Sequence, residues 1–414
     1  MPERPRLPNC MASQLSGRNR RDFWVLTSAQ GLNYCGFFAF FQFPLFIKSL
    51  GGDELHIGLM MGASAFAATL LIPWIAEYVT RADRRRIMLA GTAATLLTSI
   101  ACLGLTAPNW AMLALLIARG FSFAVYSNAS GAYLAEILPA AERSRWLGIN
   151  FGFNQIAIAL GPALAEFSIR RFGFPALFLT AGGFLALGNL LLLIVSVRPG
   201  TLRGTPSDFL RVGAVFLREL GTRPFRYLYL TLLMMACGLG AVFTFTATYV
   251  TGLGLSSGLF FLLYALINAS SRIGGGSLSD RYGRAVIILP TLSLFAVGIL
   301  LYSFTHGLAM LVVSALTIGL GFGMSNPVIL AQLLDRAVPG RQGRVIGGFN
   351  FCYQLGSLCA TPLFGVAAQN LGYPPMWWCA CATIVAATLI YALTEGRGAL
   401  SLHPRRTAEG EGET

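Results

Sequence analysis

Three ionisable side chains stand where lipid is expected. Arg119, Glu166 and Arg272 each fall inside a run of apolar residues, and an ionisable group at such depth is costly enough to mark function. The chemistry open to Glu166 is proton exchange. A carboxyl in a low-dielectric setting keeps its proton, and a nearby cation reverses that. Glu166 is therefore expected to take and release a proton while Arg119 shifts its affinity. The two differ by ~10 Å in depth at the rise of a helix, a gap that a tilt or a shared water-filled cavity would close. A second reading sends Glu166 to the membrane surface, paired with Arg170 one turn on. His56, His306 and His403 fall in loops or the tail, so no histidine relay is expected.

Uncharged polar residues mark a candidate substrate cavity. Tyr264, Asn268 and Arg272 line up at i, i+4, i+8, and Asn350, Tyr353, Gln354 and Ser357 share one helical face. Asn33, Tyr34 and Gln42 lie among Phe37, Phe38, Phe40, Phe41 and Phe43, while Tyr126, Asn150, Asn154, Thr244 and Thr248 come from other runs. The blander reading makes each a packing contact between helices, worth ~0.6 kcal/mol on average. As a set they describe an amphipathic cavity with aromatic walls and little fixed charge. Such a cavity suits a moderately apolar or zwitterionic organic solute.

The elements that hold these residues follow from composition. Of 414 residues, 55% are hydrophobic and 11% charged, against about 25% charged in soluble domains. The apolar runs predict twelve transmembrane helices at about 23–48, 56–79, 86–106, 109–137, 146–169, 174–197, 227–250, 257–278, 285–305, 308–334, 345–368 and 376–395. A barrel would instead alternate in segments of about 10 residues. The net charge of +13 resides mostly in connections between runs, which speaks for a lipid surface and against nucleic acid. Eight cysteines without clustered spacing predict neither a metal site nor a disulfide framework. No cofactor is expected, and with no nucleotide-binding loop neither is ATP-driven pumping.

Apart from the intramembrane arginines, Lys48, Arg170 and Arg171 are the only basic residues on one set of alternate connections; the rest lie on the other set and at the termini. Both termini are thus expected in the cytoplasm. Lys48 is the sole lysine, which hints at a GC-rich bacterial genome and no more; the expected location is a bacterial inner membrane. Residues 1–22 are polar and expected to be disordered, with Met11 as an alternative start. Residues 23–197 and 227–396 form two six-helix bundles. The linker 198–226 holds a candidate amphipathic helix capped by Ser207, with Phe209, Val212, Phe216 and Leu220 at helical spacing. Residues 397–414 form a cytoplasmic tail. Nothing demands more than a monomer.

The halves repeat. Gly276-Ser277-Leu278-Ser279-Asp280-Arg281-Tyr282-Gly283-Arg284 matches Ala76-Glu77-Tyr78-Val79-Thr80-Arg81-Ala82-Asp83-Arg84, with Arg81 over Arg281 and Arg84 over Arg284. Arg145 and Gly148 likewise match Arg344 and Gly347, and Phe172-Gly173-Phe174-Pro175 matches Leu371-Gly372-Tyr373-Pro374. Two parallel repeats point to a transporter. With its G-x-L-x-D-R-x-G-R loop, the chain from about 20 to 398 resembles the major facilitator superfamily. That resemblance implies an all-α membrane protein of two pseudo-symmetric six-helix bundles, a secondary transporter working by alternating access. It assigns Gly276, Asp280, Arg281, Gly283 and Arg284, with Arg81 and Arg84 in the first copy, to gating rather than substrate contact.

The first copy departs from the pattern, since Thr80 replaces the Asp; Glu77 or Asp83 would have to substitute. Arg119 occupies the place of that family's intramembrane arginine. Arg272 stands where members carrying organic anions often have one, and reads either as a substrate contact or as a structural partner of the gate. Gly152, Gly161 and Pro162 resemble the signature of proton-driven efflux members. The resemblance therefore implies proton-coupled efflux of a small organic molecule, with uptake of a nutrient, metallophore or organic anion as the alternative and a membrane sensor or enzyme as a remote one.

Overall fold

The apolar runs become helices because a lipid interior leaves the backbone no partner but itself. The structure, a computed structural model, describes residues 17–81, 83–139, 143–197, 221–222, 225–337 and 342–395. In the first half the helices are α1 (Gly17–Phe38), α2 (Phe43–Ser49), α3 (Glu54–Arg81), α4 (Arg84–Ala101), α5 (Trp110–Ile137), α6 (Arg143–Phe172) and α7 (Phe174–Leu192). In the second they are α8 (Arg226–Gly252), α9 (Ser257–Tyr282), α10 (Arg284–Ser303), α11 (Leu308–Asp335), α12 (Gln342–Leu371) and α13 (Tyr373–Thr394). Among the described residues, nine segments are long and apolar enough to cross a membrane. α1, α3 and α9, at 22, 28 and 26 residues, stand in the same bundle and exceed the ~20 residues a crossing needs. The result is a twelve-crossing all-α membrane bundle.

The first crossing is broken, where the apolar run predicts one continuous span. A 3-10 turn, Ala39–Gln42, separates α1 from α2. α1 also begins at Gly17, inside the stretch 1–22 that composition leaves without structure. Its anchor is Asp22, fully buried, which accepts hydrogen bonds from Tyr133 Oη at 3.0 Å and Ser196 Oγ at 3.1 Å. The candidate linker helix, 198–220, lies outside the described residues.

Packing follows the repeat. In the first half α1 packs on α6 and α7, α3 on α5, and α4 on α5 and α7; in the second α8 packs on α12 and α13, α9 on α11, and α10 on α11 and α13. The halves meet through α3 against α12 and α6 against α9, a crossing and its own repeat. Both are tight. A Cβ on Gly58 would lie 2.8 Å from Thr361 O and 3.0 Å from Gly365 Cα, and one on Gly258 would lie 2.8 Å from Ala163 Cα. Pro162 and Pro362 interrupt the backbone ladders of α6 and α12 beside these contacts. Close backbone approach without bulky side chains is how helices associate in lipid.

Candidate functional site

Arg119 sits on α5 with 2% of its surface exposed. Its guanidinium donates to Ser99 Oγ at 2.7 Å and to the carbonyls of Gly36 and Phe37 at 3.1 Å each. It also stacks on Phe40, with its Cζ 3.4 Å from the ring centre. Gly36 and Phe37 belong to the last turn of α1, whose carbonyls have no onward helical donor. Arg119 therefore caps the broken first crossing, and its positive charge suits that end of a helix.

Glu166 lies at the other end of this logic. It is 6% exposed, near the membrane end opposite the termini. Its carboxylate pairs with Arg170 at 2.6 Å and accepts from Ser256 Oγ at 3.0 Å, Ser257 Oγ at 3.2 Å and the Gly258 N–H. The three second-half donors form the N-terminus of α9, where a negative charge is favoured. Gln42 completes the contact by donating to Ser257 Oγ at 2.9 Å and to Pro162 O at 3.2 Å. The expected meeting of Arg119 with Glu166 does not occur, because each is occupied by its own set of partners.

Deeper in the bundle, two polar groups form. In the first half Asn150 Nδ2 donates to Gln30 Oε1 at 2.7 Å and Thr27 Oγ1 at 3.2 Å, and Asn154 Nδ2 donates to Asn150 Oδ1 at 3.3 Å. Gln30 reaches Ser130 at 3.3 Å and Tyr34 at 3.4 Å. In the second half Arg272 Nε donates to Asn268 Oδ1 at 3.0 Å, and Asn268 Nδ2 to Tyr264 Oη at 3.3 Å. Tyr264 and Tyr353 both stand within electrostatic reach of Arg272. Gln155 joins the groups, donating across the halves to Asn268 Oδ1.

Aromatic rings continue this bridge. Phe41 stacks on Phe243 with centroids 4.9 Å apart, and Phe243 meets Tyr264 edge-on at 5.6 Å. On its other side Phe41 packs against Phe38 at 5.2 Å, and Phe37 stacks on Phe123 at 3.6 Å. Asn33 and Tyr126 are 1% exposed and face each other. Thr244 and Thr248 are buried, the latter bonded to Phe245 O at 3.1 Å. Asn350 is exposed, and Gln354 half-buried.

Sequence reasoning missed Gln30, Gln155, Ser256 and Ser257. Gln155 is adjacent to Asn154, but a single polar residue carries no sign of which helix it will face.

At the loops, Gly283 adopts φ +96° between α9 and α10, a conformation that costs a side-chain-bearing residue dearly. Arg284 pairs with Asp335 at 3.1 Å, and Arg84 pairs with Glu136, so one arginine of the loop ties to the end of α5 in one half and of α11 in the other. Asp83 caps α4 through the Arg85 N–H at 3.0 Å. Arg281 lies against the ring of Tyr282. Arg81, Gly276 and Asp280 lie outside the described side chains.

The profile described as Major Facilitator Superfamily matches residues 26–361 and 257–409. Among curated relatives, the niacin/nicotinamide transporter NiaP of Bacillus subtilis, itself named putative, is 27% identical over 144 residues, 35% of this chain and 32% of that protein. The arabinose-proton symporter of the same organism is 26% identical over 156 residues, covering 35% and 33%. The quinolone resistance protein NorA of Staphylococcus aureus is 25% identical over 162 residues, covering 38% and 42%. The match thus spans about a third of the first two relatives' own length.

Solved structures share the fold. A POT family transporter in complex with a thioalcohol conjugated peptide superposes with TM-score 0.76 at 12% identity, covering 91% of this chain and 96% of that one. The nucleoside transporter NupG gives 0.69 at 14%, covering 90% and 98%. The chain belongs to the Major Facilitator Superfamily and has the fold of a multi-pass membrane protein.

Proposed function

We propose that this chain is a proton-coupled uptake transporter of a bacterial inner membrane, with both termini cytoplasmic, working as a monomer. The observation that carries the reading is the Glu166 clasp. This carboxylate joins the two halves at the end away from the termini, and it lines a groove of about 360 Å³ with Arg170, Ser256 and Gly258. Arg170 is the one charged group bonded to it among the described residues; the elements packed against it offer hydroxyls, an N–H and, through Ser257, the Gln42 amide. A proton arriving from outside would neutralise Glu166 and remove charge-assisted bonds, which are about twice as strong as neutral ones. The outer end then parts and admits substrate. Proton entry and solute entry run in the same direction.

In this cycle the bundles 23–197 and 227–396 rock about the α3–α12 and α6–α9 crossings. Asp280, Arg281 and Arg284 act at the opposite end as a latch, with Gly276 and Gly283 shaping the loop, and Arg81 and Arg84 hold the first copy. Arg119 braces α1 and takes no part in proton binding. The residues between Asn150 and Arg272 line the path of the solute. One of the three relatives above is named a proton symporter, which supports this direction over the efflux that Gly152, Gly161 and Pro162 imply. Efflux remains the second reading, favoured by the ring series from Phe123 to Tyr264 and by the likeness to NorA.

Liposomes enclosing a pH-sensitive dye test the reading. Under an inward proton gradient, pooled metabolites should accelerate proton entry in the wild type, and Glu166→Gln should reduce that entry at least tenfold. Proton movement that persists in Glu166→Gln, or that runs only against solute flow, would sink it.

A further inference from the structure

Ser257 has one hydroxyl hydrogen and two acceptors in reach, Glu166 Oε2 at 3.2 Å and Gln42 Oε1 at 3.1 Å. The Gln42 Nε2 lies 3.2 Å from Pro162 O and 2.9 Å from Ser257 Oγ. A carbonyl oxygen only accepts, so Pro162 fixes which end of the amide faces it, and the second Nε2 hydrogen falls on Ser257. Ser257 Oγ then accepts from Gln42 and sends its own hydrogen on to the carboxylate. In this chain Gln42 and Ser257 are fully buried, and Glu166 nearly so. Gln42 and Glu166 belong to one half, Ser257 to the other.

We infer that Gln42 is a positioning residue of the proton step: it holds the Ser257 hydroxyl toward Glu166 while that carboxylate is ionised, and it receives the same hydrogen once the carboxylate is neutralised. This rests on the reading of Glu166 as the proton-binding group. The Gln42 amide has no exposed surface, and it is spent on this chain rather than offered to a solute.

A hydrogen bond to a carboxylate is about twice as strong as one between neutral groups, and a polarised chain strengthens each of its links. Ionised Glu166 therefore outcompetes Gln42 Oε1 for the hydrogen. When Glu166 carries a proton that advantage is gone, and Ser257 turns to Oε1. One bond joining Glu166 to α9 is then lost without leaving the hydroxyl unpaired. Among the described residues, Glu166 faces Arg170 on its own helix, Ser256, Ser257 and the Gly258 N–H at the start of α9, and Gln42 through Ser257. Arg170 stays charged throughout, so the switch is thrown by Glu166 alone.

The neighbouring residue on the 3-10 turn passes the change on. Phe41 stacks on Phe243 and packs against Phe261 at 5.3 Å, both in the second half. Phe261 and Asn268 lie ~6 and ~17 Å along α9 from Ser257, so these rings separate the proton site from the polar groups deeper in the bundle. Adjacent residues of one turn thus touch the proton chain and the ring layer.

Infrared difference spectra of the purified full chain in detergent read protonated carboxyls directly, and the band missing from Glu166→Gln is that of Glu166. Its titration midpoint should rise in Gln42→Met by at least ~0.5 pH unit, about threefold in proton affinity, because the ionised form loses the more strongly bonded partner. Gln42→Asn, which keeps an amide of shorter reach, should move it the same way and serves if the methionine variant is too unstable to purify. Ser257→Ala should raise the midpoint too, and adding Gln42→Met to it should add nothing. Phe41→Leu disturbs the same turn but leaves the chain intact, so its midpoint should match the wild type.

A midpoint unchanged in both Gln42 variants, or a Gln42→Met shift undiminished in the Ser257→Ala background, overturns the inference and leaves the uptake reading standing. A Glu166 band absent at every pH overturns both. The expected shifts, together with proton movement against solute flow in liposomes, uphold the Gln42 chain and remove uptake.

Discussion

Arg119 shows how one residue can be expected to do chemistry and be found holding a helix end. Depth alone marks it out, and depth does not reveal whether a cation is saturated. Its three acceptors include two carbonyls at the broken end of α1, which no other described donor serves. Replacing it should therefore cost stability before it costs coupling. Arg119→Met is expected to destabilise the protein by roughly 2–3 kcal/mol, the scale of leaving buried polar groups unpaired, read as a lower unfolding temperature in detergent. Any molecules that still fold should keep the proton stoichiometry of the wild type. A stable Arg119→Met protein with altered stoichiometry would return Arg119 to the coupling machinery. Asp22 illustrates the converse. A carboxylate in a polar, arginine-rich stretch looks solvated in sequence, and its burial depends on Tyr133 and Ser196, more than 100 positions away.

At the scale of elements, the spans were legible because lipid imposes their length, and the loop copies because identical residues recur at one spacing. The 3-10 break in the first crossing was not. Nothing in the phenylalanine run from Phe37 to Phe43 distinguishes a continuous helix from a kinked one, and the break depends on Arg119 reaching across from α5. The facing of helices was likewise hidden. Asn350, Tyr353 and Gln354 do follow helical spacing, yet Tyr353 stands near Arg272 while Asn350 is exposed.

The crossings do yield an element-scale prediction. Gly258 meets Ala163 with no room for a side chain, so Gly258→Val should prevent α6 and α9 from closing. Spin labels at Ala107 and His306, both exposed on connections at the end away from the start of α1, should move apart by several ångströms, and transport should slow at least tenfold while binding persists. An unchanged label distance would show that the crossing yields elsewhere.

For the whole molecule, the duplicated loop arginines make the same tie in different surroundings. Arg84 and Glu136 have side chains 7% and 30% exposed, against 25% and 56% for Arg284 and Asp335. Breaking a buried pair strands a charge, whereas exposed pairs contribute about 0–1 kcal/mol. Glu136→Gln should thus lower the unfolding temperature clearly, and Asp335→Asn scarcely. Equal effects would mean that the halves are held alike despite the difference in burial.

The crossings at Gly58 and Gly258 carry one more consequence. They lie 200 positions apart, as do Pro162 and Pro362, and each half offers the other the same patch it receives. That is the isologous contact of two identical chains about a two-fold axis. A six-helix ancestor could have worked as a homodimer through this surface. Joining the copies in one chain releases each crossing from its twin: one has Gly365 against Gly58, and the other has Glu166 against Gly258. A symmetric pair would have had to carry that carboxylate at both crossings or at neither. Asymmetry of charge at the outer end, on which a one-proton clasp depends, became available only after fusion.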